Sequence, residues 1–269
     1  RLVTDANRLH PRLRTVGTIS GRTSCVRPNL QQVPSPRLTY GKECRELFTA
    51  EDGRLLCGVD AKSLEVRCFA HYLARYDSGE FADEVVVGDI HASNAKLMGC
   101  PRPVAKNTFF ALLYGASPTK IATMLDYTVD EAKDLIDGLY ARRPHMKLFM
   151  NAVRERARTC GFLSGLDGRK LLPRSPHSSV NLLIQAAGAC VSKQAAINTH
   201  KTLAEHWSDY DLGLVGFIHD EIIIDVPEDV AEAVTNVSII AFKKTTGQFS
   251  LRCPMDGDGR IGKTWYDIH

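Results

Sequence analysis

The chain has 269 residues, 44% hydrophobic and 24% charged, with a formal net charge of +3, which is the composition of a globular protein with enough apolar mass for a real core. By length it forms one large domain or two small ones. No run of 18 apolar residues occurs, which excludes an α-helical membrane span, and no basic start leads into an apolar stretch, so a cytoplasmic protein is expected. The chain opens on Arg1 rather than Met, as part of a longer product would. Eight cysteines are scattered through apolar patterns and never form Cys-x-x-Cys, so buried, reduced thiols are expected rather than zinc ligands or disulfides.

Charge is unevenly spread. Residues 1–46 hold nine basic side chains (Arg1, Arg8, Arg12, Arg14, Arg22, Arg27, Arg37, Lys42, Arg45) against three acids, leaving the remainder net acidic. That layout suits a protein gripping a polyanion in one place and holding metal ions in another; a solvated basic surface has the same composition.

In chain order, residues 1–50 read as short strands and loops punctuated by glycine and proline. Arg54–Val59 is a short apolar strand ending at Asp60, and Val66, Phe69, Ala70, Leu73 and Ala74 then repeat at helical spacing. Gly88-Asp89 caps a helix through His91 to Met98, which Gly99 closes. Pro101 and Pro103 open a helix running through Lys106 and Phe110 to Tyr114, stopped by Gly115. Thr128 to Glu131 spell a capping box. Residues 162–173 suggest a hairpin around Asp167-Gly168, and 178–206 a long helix with a stripe of Val180, Leu183, Ile184, Ala187 and Val191. The apolar runs 212–218 and 222–226 enclose His219-Asp220-Glu221, a hairpin with acids at its tip. A further amphipathic helix spans about 228–246, and the tail supplies an edge strand. Strands at both ends with helices inserted between them predict an α+β fold.

Two features carry chemistry. Asp60 and Asp220 each end an apolar strand, and an ionised carboxylate beside buried sheet is costly unless paired. No Lys or Arg flanks Asp220. Two aspartates meeting from separate strands could clamp two Mg²⁺ ions; a helix cap and a turn are the alternative roles. Arg102, Lys106, Phe110 and Tyr114 step by four along one helical stripe, cations first and aromatics after. That order suits a nucleotide's phosphates, sugar and base, and equally a half-exposed helix with snorkelling cations.

The ordered set of motifs resembles DNA polymerase family A, the bacterial DNA polymerase I group, and within it the replicative polymerases of short-tailed T-odd coliphages. Ser20-Gly-Arg-Thr23 and Pro28-Asn-Leu-Gln-Gln-Val-Pro34 resemble the opening palm segment. Gly58 to Arg67 resembles the first catalytic motif, and Gly88-Asp-Ile-His91 follows as in the phage branch. Arg102 to Gly115 resembles the fingers helix. Leu166-Asp-Gly-Arg169, Asn181 and Gln185 resemble the duplex-reading segment, and Val215 to Glu221 the last catalytic motif. The resemblance implies an antiparallel-sheet palm (1–77 and 171–269) with an inserted, mostly α-helical fingers subdomain (78–170), and neither thumb nor exonuclease domain. Those parts are expected on a fused or a separate polypeptide.

The resemblance also assigns roles. Asp60 and Asp220 hold two Mg²⁺ ions, which activate the primer 3′-hydroxyl and stabilise pyrophosphate as it leaves. Arg102, Lys106 and His91 bind the triphosphate, with Lys106 protonating the leaving group. Phe110 and Tyr114 complete the dNTP pocket, Tyr114 beside the templating base. Arg22, Asn29, Gln32, Asn181, Gln185 and His219 contact primer–template DNA, Arg22, Asn181 and Gln185 through minor-groove acceptors shared by all base pairs. Glu221 and His219 place the primer terminus, and Glu65 closes over C2′ to exclude ribose. Phe110 departs from the Tyr of the T-odd phage enzymes, implying rejection of dideoxynucleotides. His177 replaces a bacterial Arg; Lys62 and Ser63 are unusual within the first motif. The implied activity is template-directed DNA synthesis. A catalytically silent DNA-binding remnant or accessory subunit, and a two-metal nuclease, are the competing classes; the intact set Asp60, Asp220, Lys106, Arg102 and Tyr114 speaks against the first, and the second leaves the triphosphate stripe and Glu65 unexplained.

Overall fold

The computed structural model describes residues 2–269, so Arg1, counted above in the basic segment, lies outside the described residues. In chain order the elements are β1 (Arg12–Arg14), β2 (Ser24–Val26), α1 (Gly41–Glu46), β3 (Arg54–Ala61), α2 (Leu64–Leu73), α3 (Glu80–Val87), α4 (Ile90–Met98) and α5 (Arg102–Leu113). There follow α6 (Pro118–Leu125), α7 (Val129–Arg142), α8 (Pro144–Cys160), β4 (Leu163–Ser164), β5 (Lys170–Leu171), α9 (Ser179–His206), β6 (Gly213–Ile218), β7 (Glu221–Pro227), α10 (Ala231–Gln248) and β8 (Gly257–Gly262). The fold is α+β, as the sequence predicts. No helix is long and apolar enough to cross a membrane among the described residues.

The chain divides into two units. The first takes in the chain up to Leu64, Gly188–Leu251 and Met255–His269. Its frame is a fully antiparallel sheet in the order β6-β7-β3-β8. Strands β3 and β7 are central and buried on both faces, which is why they read as near-continuous apolar runs rather than alternating ones. Cys57 and Val59 of β3, with Ile222, Ile224 and Val226 of β7, are buried on the face that α10 covers, where the Cys57 thiol reaches the carbonyl of Ala231. The opposite face carries Leu56 and Ile223, covered by Ala50, Trp265 and Ile268 with Phe48 and Val33 at the margin. The alternation of side chains along a strand therefore places Gly58, Asp60 and Glu221 on this second face.

The second unit comprises Glu65–Ala187 and Arg252–Pro254. It is helical apart from the short β4–β5 hairpin. Its centre is aromatic: Phe69 of α2 makes edge-on contacts with Phe81, Phe109 and Phe149 at centroid distances of 5.4, 5.7 and 5.5 Å, a geometry that aligns ring edges with π faces. The caps form as predicted. Asp89 accepts from the backbone N–H groups of His91 and Ala92, Gly99 closes α4 in the left-handed region, and Thr128 and Glu131 form a reciprocal capping box.

Three expectations change. Residues 41–46, read as part of a strand-and-loop segment, form helix α1. Glu221 is not at a hairpin tip: it opens β7, pairs with Ile218 and is buried, leaving a two-residue turn of His219 and Asp220. Of the eight cysteines, all free, only Cys25, Cys57, Cys68 and Cys253 are buried, and Cys160 is exposed at the end of α8.

Candidate active site

In the first unit, four acids, Asp60, Asp220, Glu221 and Asp258, converge at one end of the sheet. Asp60 is the penultimate residue of β3, and Asp220 stands in the β6–β7 turn, where His219 adopts a positive φ of 59° that histidine tolerates better than most residues. Asp60 is exposed at its tip, yet the protein crowded around it, then the charge of Asp220, pushes its carboxyl up to about 7; the Ala61 N–H, donated to Asp60 Oδ1 at 2.9 Å, opposes this. Asp258, its cross-strand partner on β8, adds a further negative charge. The two aspartates thus feel one another's charge, and the forces shifting Asp60 include no cation.

Such a site gathers negative charge at one place. Among the described residues no group of three or more His, Cys, Asp or Glu side chains is arranged to hold a metal ion. Two carboxylates without a complete protein cage match the way Mg²⁺ is bound, through one or two carboxylates plus water and substrate oxygens. The residues present therefore fit a hydrated divalent cation better than a structural metal.

Glu221 sits beside the aspartates in a tighter enclosure. It is 6% exposed, and Trp265 Nε1 donates to its Oε2 at 3.4 Å. Gly58 makes room for it: a Cβ there would come within 2.6 Å of Ile268 Cδ1 and 3.1 Å of Glu221 Oε1. Burial foremost, together with the charges of Asp60 and Asp220, raises its carboxyl to about 8, against the lowering effects of Trp265 and Arg45.

In the second unit, α5 buries Ala105, Thr108, Phe109, Leu112 and Leu113 and turns Arg102, Lys106 and Phe110 to the other side. Asp89 ties the start of α4 to the start of α5: its Oδ1 caps α4 and its Oδ2 accepts from Arg102 Nε at 2.7 Å, which above all holds the Asp89 carboxyl below its ordinary range. The His91 ring lies 5.5 Å from that of Phe110. Burial, then the charges of Lys106 and Arg102, lowers its pKa against the opposing charge of Asp89, so His91 stands near both cations. Phe110 meets Tyr114 at 6.2 Å. Tyr114 caps α5 rather than lying within it, is 47% exposed, and donates its hydroxyl to Glu65 Oε2 at 2.6 Å. Gly115 follows with φ of +77°, and a Cβ there would meet the His177 carbonyl oxygen at 2.3 Å, so neither conformation nor space admits another residue.

The DNA-contact candidates are dispersed. Asn29 caps the short 3-10 turn Leu30–Gln32, whose last residue, Gln32, is exposed. Arg22 is half-buried and His219 exposed, both in the first unit. Asn181 and Gln185 lie one turn apart on α9 in the second, and Asn181 Oδ1 is buried with no hydrogen-bond partner. The Lys62 side chain is exposed, and nothing in the structure explains the choice of lysine there. The sequence reading did not single out Asp258 beside Asp60, the second role of Asp89, or the Arg45, Trp265 and His269 side chains around Glu221. Only the Gly88-Asp89 cap left a local signal.

The family model for DNA polymerase family A matches residues 1–267. The chain belongs to that family. It is 32% identical over 297 residues to the DNA-directed DNA polymerases of Enterobacteria phage T3 and Escherichia phage T7, covering 100% of this chain and 42% of each relative. It is 31% identical to DNA polymerase I of Lactococcus lactis, over 98% of this chain and 32% of that protein. The chain thus spans less than half the length of these relatives. Among solved structures it is similar to the polymerase domain of Pol1 from M. smegmatis, in complex with DNA primer-template and dNTP, with a TM-score of 0.88 at 22% identity over 99% of this chain and 50% of that one. At that identity the likeness concerns the fold.

Proposed function

We propose that this chain carries out template-directed DNA synthesis, adding dNTPs to a primer 3′-hydroxyl with release of pyrophosphate, in the cytoplasm of its host cell. The observation that carries the reading is the Asp60–Asp220 pair at one end of the sheet, where desolvation and then the charge of Asp220 raise the Asp60 carboxyl to about 7. A divalent ion satisfies that pair where a proton otherwise must. Asp60 and Asp220 hold the Mg²⁺ ions, which when bound supply Lewis-acid activation of the primer hydroxyl and charge stabilisation at the triphosphate. Membership of DNA polymerase family A and the phage relatives support the same chemistry.

The remaining residues bind and orient. Arg102 and Lys106 bind the incoming phosphates as charge-assisted donors, and Lys106 gives a proton to the departing pyrophosphate. His91, whose pKa is lowered by burial and by those two cations, donates to phosphate. Glu65, held by Tyr114, excludes a 2′-hydroxyl. Phe110 lines the sugar side. Arg22, Asn29, Gln32, Asn181, Gln185 and His219 hold primer–template DNA, and Glu221 places the primer terminus. In this division residues 1–77 and 171–269 serve as palm and 78–170 as fingers.

Primer extension on a primer–template with dNTPs and Mg²⁺ tests the proposal, with Asp220→Ala as the control. Lengthening of the primer by the parent chain and none by the variant is expected. Binding without extension, or shortening of the primer, overturns it.

A further inference from the structure

Glu221 holds its carboxyl group in a buried site, and its hydrogen bond from Trp265 is long at 3.4 Å. One long bond does little to fix the orientation of that group. Among the described residues the cation acting on it is Arg45, which lies 224 residues from His269 in sequence and yet touches it. Arg45 is itself 6% exposed and held from three sides. Its Nε donates to the Pro34 carbonyl at 2.9 Å, its Nη1 donates to His269 Nε2 at 2.6 Å, and its guanidinium lies 4.3 Å over the Trp265 ring. The His269 ring accepts from Arg45 in its neutral form, so its 3.5 Å approach to Glu221 Oε2 is not an ion pair. Arg260 in turn binds the His269 carbonyl oxygen.

A buried Arg–carboxylate arrangement is weak evidence for stability, because apolar residues of similar volume serve the fold as well or better. Its value here lies in position. Glu221 directly follows Asp220, and its strand neighbours, Gly58 and Ile223, leave it facing the same side of the sheet as Asp60.

We infer that Arg45 is a positioning residue of this site: by clamping Trp265 and His269 and facing Glu221, it fixes the Glu221 side chain and, through the next residue, the place of Asp220 relative to Asp60. This rests on the proposed DNA synthesis. Arg45 touches neither nucleotide nor metal in this account; it acts through Glu221. Lysine keeps the charge but not the planar fork that reaches Pro34 and His269 together, so it substitutes only partly.

Arg45→Met, Arg45→Lys, Glu221→Gln and the Arg45→Met/Glu221→Gln double variant test the inference in single-nucleotide insertion, with folding followed by circular dichroism. Arg45→Met is expected to lower kcat roughly 10- to 100-fold, with the KM for dNTP changed less than about threefold. Arg45→Lys recovers part of the loss, and Arg45→Met costs little further in the Glu221→Gln background, since both act through one carboxylate. If Arg45→Met does not fold, Arg45→Lys carries the test through the same kcat loss and the same failure to add to Glu221→Gln. Losses that multiply, a KM effect without a kcat effect, or variants as active as the parent overturn the positioning role while leaving the polymerase reading intact. An inactive parent chain overturns both.

Discussion

The hydroxyl of Tyr114 donates a hydrogen bond of 2.6 Å to Glu65 Oε2. Forty-nine residues separate the two in sequence, and both belong to the helical unit. A charge-assisted bond of that length fixes the carboxylate in one rotamer. If Glu65 excludes ribose by occupying the space of a 2′-hydroxyl, its partner shares in the selectivity. Glu65→Ala is expected to raise ribonucleotide insertion relative to deoxyribonucleotide, and Tyr114→Phe to raise it less, since the carboxylate remains but swings. Single-nucleotide insertion with matched rNTP and dNTP measures both ratios. Unchanged sugar selectivity in Glu65→Ala contradicts the role.

Phe110 packs between His91 and Tyr114 and has no hydroxyl to offer a sugar. The chain should therefore discriminate against dideoxynucleotides, whose missing 3′-hydroxyl removes a hydrogen bond that Phe cannot replace. Phe110→Tyr is expected to relax that discrimination with little change in dNTP use, read as the frequency of chain termination at equal ddNTP to dNTP ratio. Equal termination by both forms contradicts it.

Asp89 joins two helix starts, so its loss should be felt in two measurements. Asp89→Ala removes the cap of α4, worth about 1 kcal/mol, and releases Arg102. The ion pair itself is about half exposed on both sides and adds little to stability. A modest fall in Tm together with a several-fold rise in the KM for dNTP is expected. Asp89→Asn should keep much of the cap and recover Tm more than KM. A variant with unaltered KM contradicts the link between Asp89 and phosphate binding.

The acid cluster gives the metal-free protein an uncommon pH dependence. Asp60 and Glu221 titrate near 7 and 8 when folded, above the roughly 4 of an unfolded carboxyl. Across that window the folded state binds more protons, so stability falls as pH rises. The buried His71 and the partly exposed His269 titrate near 4, below their unfolded value of about 6.5, and add stability as pH rises from 4 to 6.5, in the opposite direction. The carboxylate effect is therefore uncovered between about pH 6.5 and 8. Thermal melts in EDTA should show Tm declining over that interval, and Mg²⁺ should oppose the decline by binding the ionised pair. Asp60→Asn should flatten the curve up to pH 7 and Glu221→Gln up to pH 8. A Tm that rises with pH in EDTA contradicts the assignment.

What the sequence reveals of this molecule follows from how local each signal is. The caps at Asp89 and Thr128 and the stripe of Arg102, Lys106 and Phe110 on α5 depend on residues within one or two turns, and they are readable in the sequence. Strand β3 was readable because a run buried on both faces needs no partner to be recognised. Helix α1 was not: six residues carry no period, and it is entered through a left-handed Tyr40 that has no clear signature. Nor could the pattern distinguish Glu221 in a strand from Glu221 in a turn, since pairing with Ile218 sets that boundary. The enclosure of Glu221 by Arg45, Trp265 and His269 is assembled from the two ends of the chain, and Asp258 reaches Asp60 only through sheet register. The roles of Glu65 and Tyr114 came from resemblance alone, and their hydrogen bond has no trace in spacing.

The central claim is that Asp60 and Asp220 jointly bind divalent ions at a nucleotide. A crystal of the chain with primer–template, a terminating nucleotide and Mn²⁺ in place of Mg²⁺ reads this directly through anomalous scattering. The account predicts peaks within coordination distance of both carboxylates, about 2.0–2.3 Å, and adjacent to the triphosphate, and their loss in Asp60→Asn. A bound triphosphate with no peak between the two aspartates, or a lysine or arginine in that place, contradicts it.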